Sequence, residues 1–490
     1  MTGAQSTLTS VKDFSLAPFT AVISDLHLCE AERVNTRFPL WKKYKTREFF
    51  FDDAFQLFVE QIVAMAGGVT VELVLNGDIF DFDSVLLLPE DPPYRVSWLE
   101  KARGLFPEEA KSVFKFEQIL KDHSAWVAAL SWFVLRGHRV IFVIGNHDVE
   151  LQWRSVQKSL IEALQLPDEY QANIRFCEWF YISNGDTLIE HGNQYDPYCL
   201  CIDPINPFIR RYNKIEIRLP FGNVACRYLT NGMGFFNPHV DTAYLMSLKE
   251  YSIFFVRYMA LAQPFIIWTW FWGSFLSLSQ AFFDNLMPAI RDPLRIEDRI
   301  ENIAQKANAT PRMVRELKEL FANPASQKPM TVARELWLDR AFILLLGLLG
   351  LFEIFLFIKQ VYDISVFWMF IPITLLIPFF LFYSRSVYSK VIQYKEPQED
   401  ILAMSGAITH TSRVIYGHTH EVRHEVVGAI EHLNPGSWSP AFLDVECKRP
   451  IGHKTFIWIE PSAKGGRESN LYQFGGHGAR IPMRNAVLRL

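Results

Sequence analysis

The sequence has few features of a secreted, disulfide-bonded or nucleic-acid-binding protein. Its six cysteines include no CxxC pair, and Cys199 and Cys201 are too close for the usual zinc pattern. The net charge is −4, whereas nucleic-acid binders are basic, so we expect no nucleic-acid partner. The first 19 residues lack a basic start followed by an apolar stretch. We therefore predict no signal peptide, and reduced cysteines on the cytoplasmic side.

Half of the residues are hydrophobic, and their arrangement divides the chain into zones. Short apolar runs ending in polar turns alternate with stretches of helical period in residues 1–245, which predicts an α/β fold. Residues 401–470 return to this pattern, and we expect both parts to form one domain. The glycine-rich stretch that follows predicts a loose tail at 471–490.

Residues 246–400 predict a helical, membrane-associated insertion. Residues 341–358 contain one charge, and residues 364–383 contain none, so a hairpin over 341–383 approaches membrane-spanning length. The alternative is a buried helical hairpin in a soluble domain. Residues 252–283 are rich in tryptophan, which favours the membrane interface, and are interrupted by Arg257 and Pro264. We expect this stretch to lie in the interface, re-enter or fold back, and burial within a soluble domain stays open as the alternative.

Five polar motifs lie at four predicted strand ends and in one loop. Each alone is common, and a single histidine there is more often structural than a ligand. In chain order they are Asp25-Leu26-His27, Gly77-Asp78-Ile79-Phe80-Asp81, Gly145-Asn146-His147-Asp148, His191-Gly192 and Gly417-His418-Thr419-His420. Because sites in open α/β sheets lie at the carboxyl ends of strands, the full set predicts one shared crevice.

This mixture of imidazole and carboxylate groups suits Mn²⁺, Fe or Zn²⁺ better than Ca²⁺. Two such ions about 3.5–4 Å apart can share a bridging carboxylate and stabilise an in-line displacement at phosphorus. They also make hydroxide available near neutral pH. The motifs therefore predict two divalent metal ions, with Mn²⁺ favoured, and a hydrolase that acts on phosphorus.

The order D-x-H, G-D-x-x-D, G-N-H-D, H and G-H-x-H resembles the calcineurin-like metallophosphoesterase superfamily. The resemblance implies a four-layer αββα sandwich with two metals. Seven residues would bind them: Asp25, His27 and His420 at one metal, Asn146, His191 and His418 at the other, and Asp78 between the two. It also implies that His147 stabilises the transition state or protonates the leaving group, and that Asp81 orients His147.

Three segments, ISDLHL, NGDIFD and EHGNQYD, are similar to the bacterial UDP-2,3-diacylglucosamine pyrophosphatase group, which cleaves a nucleotide–lipid diphosphate at the membrane. His147 stands where the best-known branch has arginine, so only the substrate class carries over. We expect a phosphoester or diphosphate substrate, with a lipid-linked one favoured. The basic and apolar residues of 206–223 fit a cap over anionic headgroups, or an ordinary solvated loop.

The ligand positions constrain the membrane topology. Asp25 and His420 lie on opposite sides of the insertion and must meet, so the number of crossings between them is even. The hairpin at 341–383 supplies two crossings, and Lys and Arg on both flanks place its ends in the cytoplasm. We expect a catalytic domain on the cytoplasmic face of the cytoplasmic membrane, with the bilayer as a partner. A homo-oligomer stays open, because apolar insertions also pack against a second copy.

Two other functions stay open. One is a phosphodiesterase or phosphatase that acts on soluble nucleotides and is merely anchored to the membrane. The other is a non-catalytic membrane scaffold that retains the fold. The complete set of ligand-type residues argues against the scaffold.

Overall fold

The structure, a computed structural model, describes residue 14 and residues 16–211, 213–235, 248–287, 289–290, 293–386, 399–451, 453–475 and 479–482. The predicted boundary near residue 245 lies outside these ranges, as does most of the basic stretch that follows residue 383.

Within the described residues, the larger sheet has seven strands. In order across the sheet they are β16 (Ala479–Pro482), β15 (Arg467–Gly475), β14 (Thr455–Pro461), β1 (Phe19–Ile23), β2 (Val71–Asn76), β3 (Arg139–Val143) and β4 (Ile174–Cys177). The last four are parallel to one another, and the first three add antiparallel strands beside β1. The interior strand β2 is buried on both faces, which accounts for its nearly continuous apolar run.

The second sheet has five strands among the described residues. Their order is β10 (Val422–Val427), β11 (Ile430–Pro435), β9 (Arg413–Ile415), β6 (Thr187–Glu190) and β5 (Phe180–Ser183). β9 pairs in parallel with both β6 and β11. This sheet therefore joins strands from before and after the predicted insertion, as expected for one domain.

Helices and short hairpins make up most of the remaining described structure. The α-helices are α1 (Asp52–Met65), α2 (Trp98–Arg103), α3 (Glu109–Asp122), α4 (Ser124–Leu135), α5 (Arg154–Leu164), α6 (Asp168–Gln171), α7 (Phe221–Tyr228), α8 (Leu248–Phe254), α9 (Ile266–Leu286), α10 (Pro293–Lys306), α11 (Pro311–Glu319), α12 (Pro329–Glu335), α13 (Leu338–Val361), α14 (Phe370–Ser386) and α15 (Glu399–Thr409). The hairpins are β7 (Phe208–Arg211) with β8 (Lys214–Ile217), and β12 (Ala441–Phe442) with β13 (Pro450–Ile451).

The two sheets face each other and are covered by helices on their outer faces. Val22, Val74 and Ile141 of the larger sheet pack in one cluster with Ile189 and Ile415 of the second. α1, α3, α4 and α5 pack on the outer face of the larger sheet. The predicted mixed α/β fold is confirmed, and the helix–sheet–sheet–helix order is the one that the resemblance implies.

The outer layer of the second sheet comes partly from the predicted insertion. Ile300 and Ile303 of α10 and Val314 of α11 are buried against this sheet, together with Leu402 of α15. The expectation that all of 246–400 is a membrane-associated insertion is therefore wrong for α10 and α11. The many polar residues of α10 and α11 drew attention away from their apolar residues, which are spaced three or four positions apart and pack on the sheet.

α13 and α14 form the predicted hairpin and pack on each other, with Gly347 of α13 close to Leu376 of α14. Among the described residues, α13 alone is long and apolar enough to cross a membrane by length and composition. Its buried side chains are only Arg340 and Phe355, and it is apolar on all sides. α13 is therefore not part of a helical hairpin buried in the core of this chain.

The predicted loose tail is also partly wrong. Residues 471–475 belong to β15, and β16 pairs with them at the edge of the larger sheet. The glycines that suggested a tail include Gly465 and Gly466, which have positive φ in the turn between β14 and β15. Glycine here permits a tight hairpin. Residues 483–490 lie outside the described ranges.

The partly buried carboxylate of Glu431 ties the two sheets together and predicts a measurable pH dependence. It accepts hydrogen bonds from Arg413 Nε (2.7 Å) and from Ser469 Oγ of β15 (2.5 Å), and lies 3.0 Å from His424 Nε2. Burial raises the pKa of Glu431, but these partners outweigh it and lower the pKa to about 2. The unfolded-state pKa is higher, so this carboxylate stabilises the fold above about pH 4.5, and that stability is lost as pH falls toward 2.

We predict that Glu431→Gln removes roughly 2 kcal/mol of stability at pH 7, and less than half of that at pH 3. The measurement is chemical denaturation of the detergent-solubilised protein at both pH values. Glu468→Gln, at an exposed position on β15, is the control and should leave the pH dependence unchanged. Equal destabilisation by Glu431→Gln at both pH values would contradict the assignment.

Candidate metal centre

The predicted ligands lie where strands of both sheets end at one edge. Asp25 and His27 follow β1, Asp78 follows β2, and Asn146 and His147 follow β3. On the second sheet, His191 follows β6, and His418 and His420 follow β9. Because β1, β2 and β3 are parallel, as are β6 and β9, their carboxyl ends meet at one crevice.

Asp25, His27 and His420 form the first group, and their ligand atoms all lie within 4.8 Å of one another. The Nε2 atoms of the two histidines are 3.2 Å apart. The Oδ1 atom of Asp25 lies 3.2 Å from His420 Nε2 and 3.9 Å from His27 Nε2. Three ligand-type atoms from opposite ends of the chain thus face one point.

Asp78, His191 and His418 form the second group, again within 4.8 Å. The Oδ2 atom of Asp78 lies 3.2 Å from His191 Nε2 and 3.9 Å from His27 Nε2, so Asp78 stands between the two groups. Asn146 lies beside this group, because a Cβ on its neighbour Gly145 would meet Asp78 Oδ1 and His191 Cδ2. The structure therefore brings together six of the seven residues predicted to bind metal, and it places the loop of the seventh, Asn146, beside them.

The chemistry of these groups fits divalent cations. Ligands that each lie about 2.0–2.2 Å from one ion are about 3.0–3.5 Å apart, similar to the closest distances here. Asp25 Oδ1 and Asn146 Oδ1 are buried and have no hydrogen-bond partner among the described residues. A buried polar atom in that state is costly unless it binds something.

The backbone at the site adopts a conformation that side chains rarely favour. The φ angle is positive at five predicted ligands: Asp25 (55°), His27 (49°), Asp78 (52°), His418 (65°) and His420 (58°). Each such residue costs roughly 1–2 kcal/mol, and strain of this kind concentrates at functional sites. The folded sheets therefore hold the ligands in place against local strain.

Asp148, whose role the sequence left open, ties two ligand loops together. Its Oδ1 accepts the backbone N–H of Gly145 at 2.6 Å, and its Oδ2 accepts that of Ile79 at 2.8 Å. Burial and the nearby Asp78 charge raise the pKa of Asp148 to about 7. The turn at 434–439 similarly supports Asp25, whose backbone carbonyl accepts the N–H groups of Trp438 and Ser439 at 3.1 Å.

The charges at the centre stabilise one another. Burial raises the pKa of Asp78, but the imidazoles of His191 and His147 outweigh it and hold that pKa well below its ordinary value. Burial lowers the pKa of His191, while the carboxylates of Asp78 and Asp25 raise it to about 9. A cation that binds at His191 must therefore displace a proton.

His147 and Asp81 lie together, as the resemblance implies. His147 Nδ1 is 3.4 Å from Asp81 Oδ1, and its ring centroid is 5.0 Å from that of His27. The side chain of His147 is 14% exposed, whereas that of Asp81 is 2% exposed. Burial lowers the pKa of His147, but Asp78 and Asp81 raise it well above its ordinary value. The two carboxylates thus favour the protonated form of His147, whose side chain is partly exposed at the crevice.

The basic segment predicted to cap the site is already largely paired. Arg211 contacts Glu216 and Asp284, and Lys214 Nζ lies 2.8 Å from Glu108 Oε1. Arg218 donates to the carbonyl of Met287 at 2.7 Å. These contacts favour the interpretation of an ordinary structural hairpin over a headgroup-binding cap.

Two buried residues at the centre were missed. Asp196 Oδ2 lies 3.0 Å from His418 Nε2, an arrangement that orients a metal-binding imidazole. Asn223 of α7 contacts Asn146. Asp196 follows His191 by five residues across a short 3₁₀ turn, Asn193–Tyr195, so an acidic residue shortly after a ligand histidine was the available signal. Asn223 gave no signal, because α7 is remote from every motif.

Residues 20–218 match the family model of the calcineurin-like phosphoesterases. This match supports the superfamily indicated by the motif order, and with it a metal-dependent phosphoester hydrolase. The phosphoesterase region, residues 20–218, contains the predicted ligands up to His191, while His418 and His420 lie beyond it. No curated protein and no solved structure matches the chain.

Two glycines of the chain offer a matched test of the metal centre. A Cβ at Gly77 (φ 76°), in the phosphoesterase region, would lie 2.3 Å from His191 Nδ1, whereas a Cβ at Gly137 (φ 83°) meets nothing within 4 Å. Alanine is strained by about 1 kcal/mol at either position. We predict that Gly77→Ala loses Mn²⁺ binding in equilibrium dialysis and that Gly137→Ala keeps it. Wild-type Mn²⁺ affinity in Gly77→Ala would contradict the proposed placement of the ions.

Proposed function

We propose that the chain is a membrane-associated phosphohydrolase that uses two divalent cations to cleave a phosphoester or diphosphate bond of a lipid-linked substrate. The observation that supports it best is the convergence of His27 and His420, which are 393 residues apart in sequence and 3.2 Å apart at Nε2. The family match supports the hydrolase, whereas the membrane and the lipid-linked substrate are our proposal.

The donor set fits Mn²⁺, with Fe and Zn²⁺ as alternatives. When bound, two such cations lower the pKa of water and stabilise negative charge at phosphorus. Asp25, His27 and His420 would hold one cation, and Asn146, His191 and His418 the other, with Asp78 between them. Asp196 would keep the His418 ring in its orientation.

His147 is suited to protonate the leaving group. Its Nδ1 faces Asp81, so Nε2 is the nitrogen left to donate a proton to the departing oxygen. Asp81 is held in turn by the N–H and hydroxyl of Ser84, which fixes the direction of its carboxylate. The carboxylate both orients the ring and favours its protonated form.

A lipid-tailed substrate is favoured by the surface beside the centre. α7 carries Asn223 against Asn146 and packs on α9, where Gly273 allows close approach to Tyr228. The opposite face of α9 exposes large apolar side chains: Ile267, Trp268, Phe271, Trp272, Phe275, Phe282 and Phe283. Extracting acyl chains into water costs roughly 0.8 kcal/mol per CH₂, so an aromatic face beside the crevice would spare that cost.

The attachment of α9 supports a position in the interface rather than a crossing. Ile266 near its start, Ala281 near its end and the ion pair of Asp284 with Arg211 all join it to the rest of the protein. α13 and α14 would then anchor the domain by the two-crossing hairpin. We propose the cytoplasmic face of the cytoplasmic membrane for the catalytic domain.

We predict that the purified protein with Mn²⁺ hydrolyses at least one member of a panel of lipid diphosphates, phospholipids and nucleotides. Asp78→Asn should lose both metals and the activity, because one carboxylate serves both groups. His147→Ala should keep the metals yet lose rate by roughly 10²–10⁴, the range for a removed acid catalyst. Metal content is measured beside the rate.

Unchanged rate in His147→Ala would show that this role is wrong. Two bound Mn²⁺ ions without activity on any substrate would favour the scaffold. Activity on nucleotides alone would favour the anchored nucleotide hydrolase.

We predict that the triple variant Trp268→Ser, Trp272→Ser, Phe275→Ser raises the surface concentration of lipid substrate needed for half-maximal rate by roughly tenfold or more, because it removes apolar area from the interface. The measurement uses mixed micelles at varied substrate mole fraction. Hydrolysis of a short-chain, water-soluble analogue should be unaffected. Val426→Ser, at an exposed apolar position on β10, is the control. Equal losses on both substrates would count against an interfacial role.

A further inference from the structure

Asn146 can serve as a metal ligand in only one of its two amide orientations. Its Oδ1 has lone pairs for a cation, whereas its Nδ2 has only hydrogens to donate. The backbone does not distinguish the two orientations, since they differ by rotation of the terminal amide. A neighbouring group must therefore select the one that turns Oδ1 toward the centre.

Asn223 is fully buried on α7 and contacts Asn146 twice. Its Nδ2 donates to the backbone carbonyl oxygen of Asn146 at 2.8 Å, and its Oδ1 accepts a long hydrogen bond of 3.5 Å from the side-chain Nδ2 of Asn146. With Nδ2 of Asn146 directed to this acceptor, Oδ1 lies on the other side. That oxygen is the buried atom without a hydrogen-bond partner among the described residues.

Asp83 fixes the orientation of Asn223 itself. Asn223 Nδ2 donates to Asp83 Oδ2 at 2.6 Å. An ionised carboxylate can only accept, so the end of Asn223 that faces Asp83 must be its nitrogen. The two hydrogens of that nitrogen are donated to Asp83 and to the backbone carbonyl of Asn146. Oδ1 of Asn223 is therefore left to accept from the side-chain amide nitrogen of Asn146. The orientation passes from Asp83 through Asn223 to Asn146.

We propose that Asn223 is a positioning residue that turns the side-chain oxygen of Asn146, Oδ1, toward the second cation. The inference rests on the proposed metal centre, but it concerns a residue beyond residue 218, where the family match ends. It assigns α7 a part in metal binding that acts through Asn146, in addition to the packing of α7 against α9.

The test is a double-mutant cycle that measures Mn²⁺ binding to the full-length, detergent-solubilised protein by equilibrium dialysis. Asn223→Ala should weaken the second Mn²⁺ by roughly 10–100-fold, the usual effect of losing a group that orients a ligand, and leave the first unchanged. Asn146→Asp supplies a ligand whose two oxygens are equivalent, so no orientation is needed. In that background Asn223→Ala should cost less than about twofold, or should improve binding.

Asn231→Ala is the control, because Asn231 donates to the backbone carbonyl of Asp83 at 2.7 Å and, among the described residues, forms no hydrogen bond to Asn146. It should keep wild-type Mn²⁺ affinity. Denaturation of the metal-free variants checks that each remains folded. Equal loss of Mn²⁺ affinity from Asn223→Ala in both backgrounds would overturn the inference, since packing alone would explain it. A wild-type protein that binds two Mn²⁺ but hydrolyses nothing would refute the proposed function and leave this test intact.

Discussion

The organisation of the centre depends on one buried carboxylate, that of Asp78. One of its oxygens accepts the backbone N–H of His147 at 2.8 Å, and the other lies 3.2 Å from His191 Nε2, so it joins loops from both sheets. A charge at this depth is tolerable only with close partners. The glycines Gly77 and Gly145 leave room for that approach, because a side chain at either position would collide with His191 or Asp78. The close packing around Asp78 and the need to compensate its charge thus both require His191 and the loop of His147 to lie against this carboxylate.

The helices between the two parts of the α/β unit serve two structural purposes. α10 and α11 complete the outer layer of the second sheet, so they belong to the domain itself. α9, α13 and α14 instead present apolar side chains outward. α7 packs against α9 through Tyr228 and carries Asn223 to the centre. The segment between the halves of the domain is therefore both scaffold and surface, and α7 links the aromatic face physically to the ligands.

Much of the centre could be predicted because strand-end motifs are local in sequence. Asp25, Asp78 and His191 each follow a recognisable apolar run, and parallel pairing brings such ends together. Asn223 could not be found this way, because its part depends on a tertiary contact of a helix without a motif. α10 was misassigned for a related reason, since periodicity shows an apolar face but not which surface covers it. The C-terminal strands were missed because glycine marks a hairpin turn and a loose end alike.

β9 is the central strand of its sheet, and the chain reaches it only after α13 and α14. During synthesis, strands β1 to β4 of the larger sheet and five of the seven expected ligands leave the ribosome early. His418, His420 and strands β14 to β16 follow the apolar hairpin along the chain. If the domain folds from its N-terminus, it remains incomplete until β9 is synthesised, because one edge of β6 has no partner strand before then. Ion retention would then begin only when translation is nearly complete and the apolar helices have already emerged.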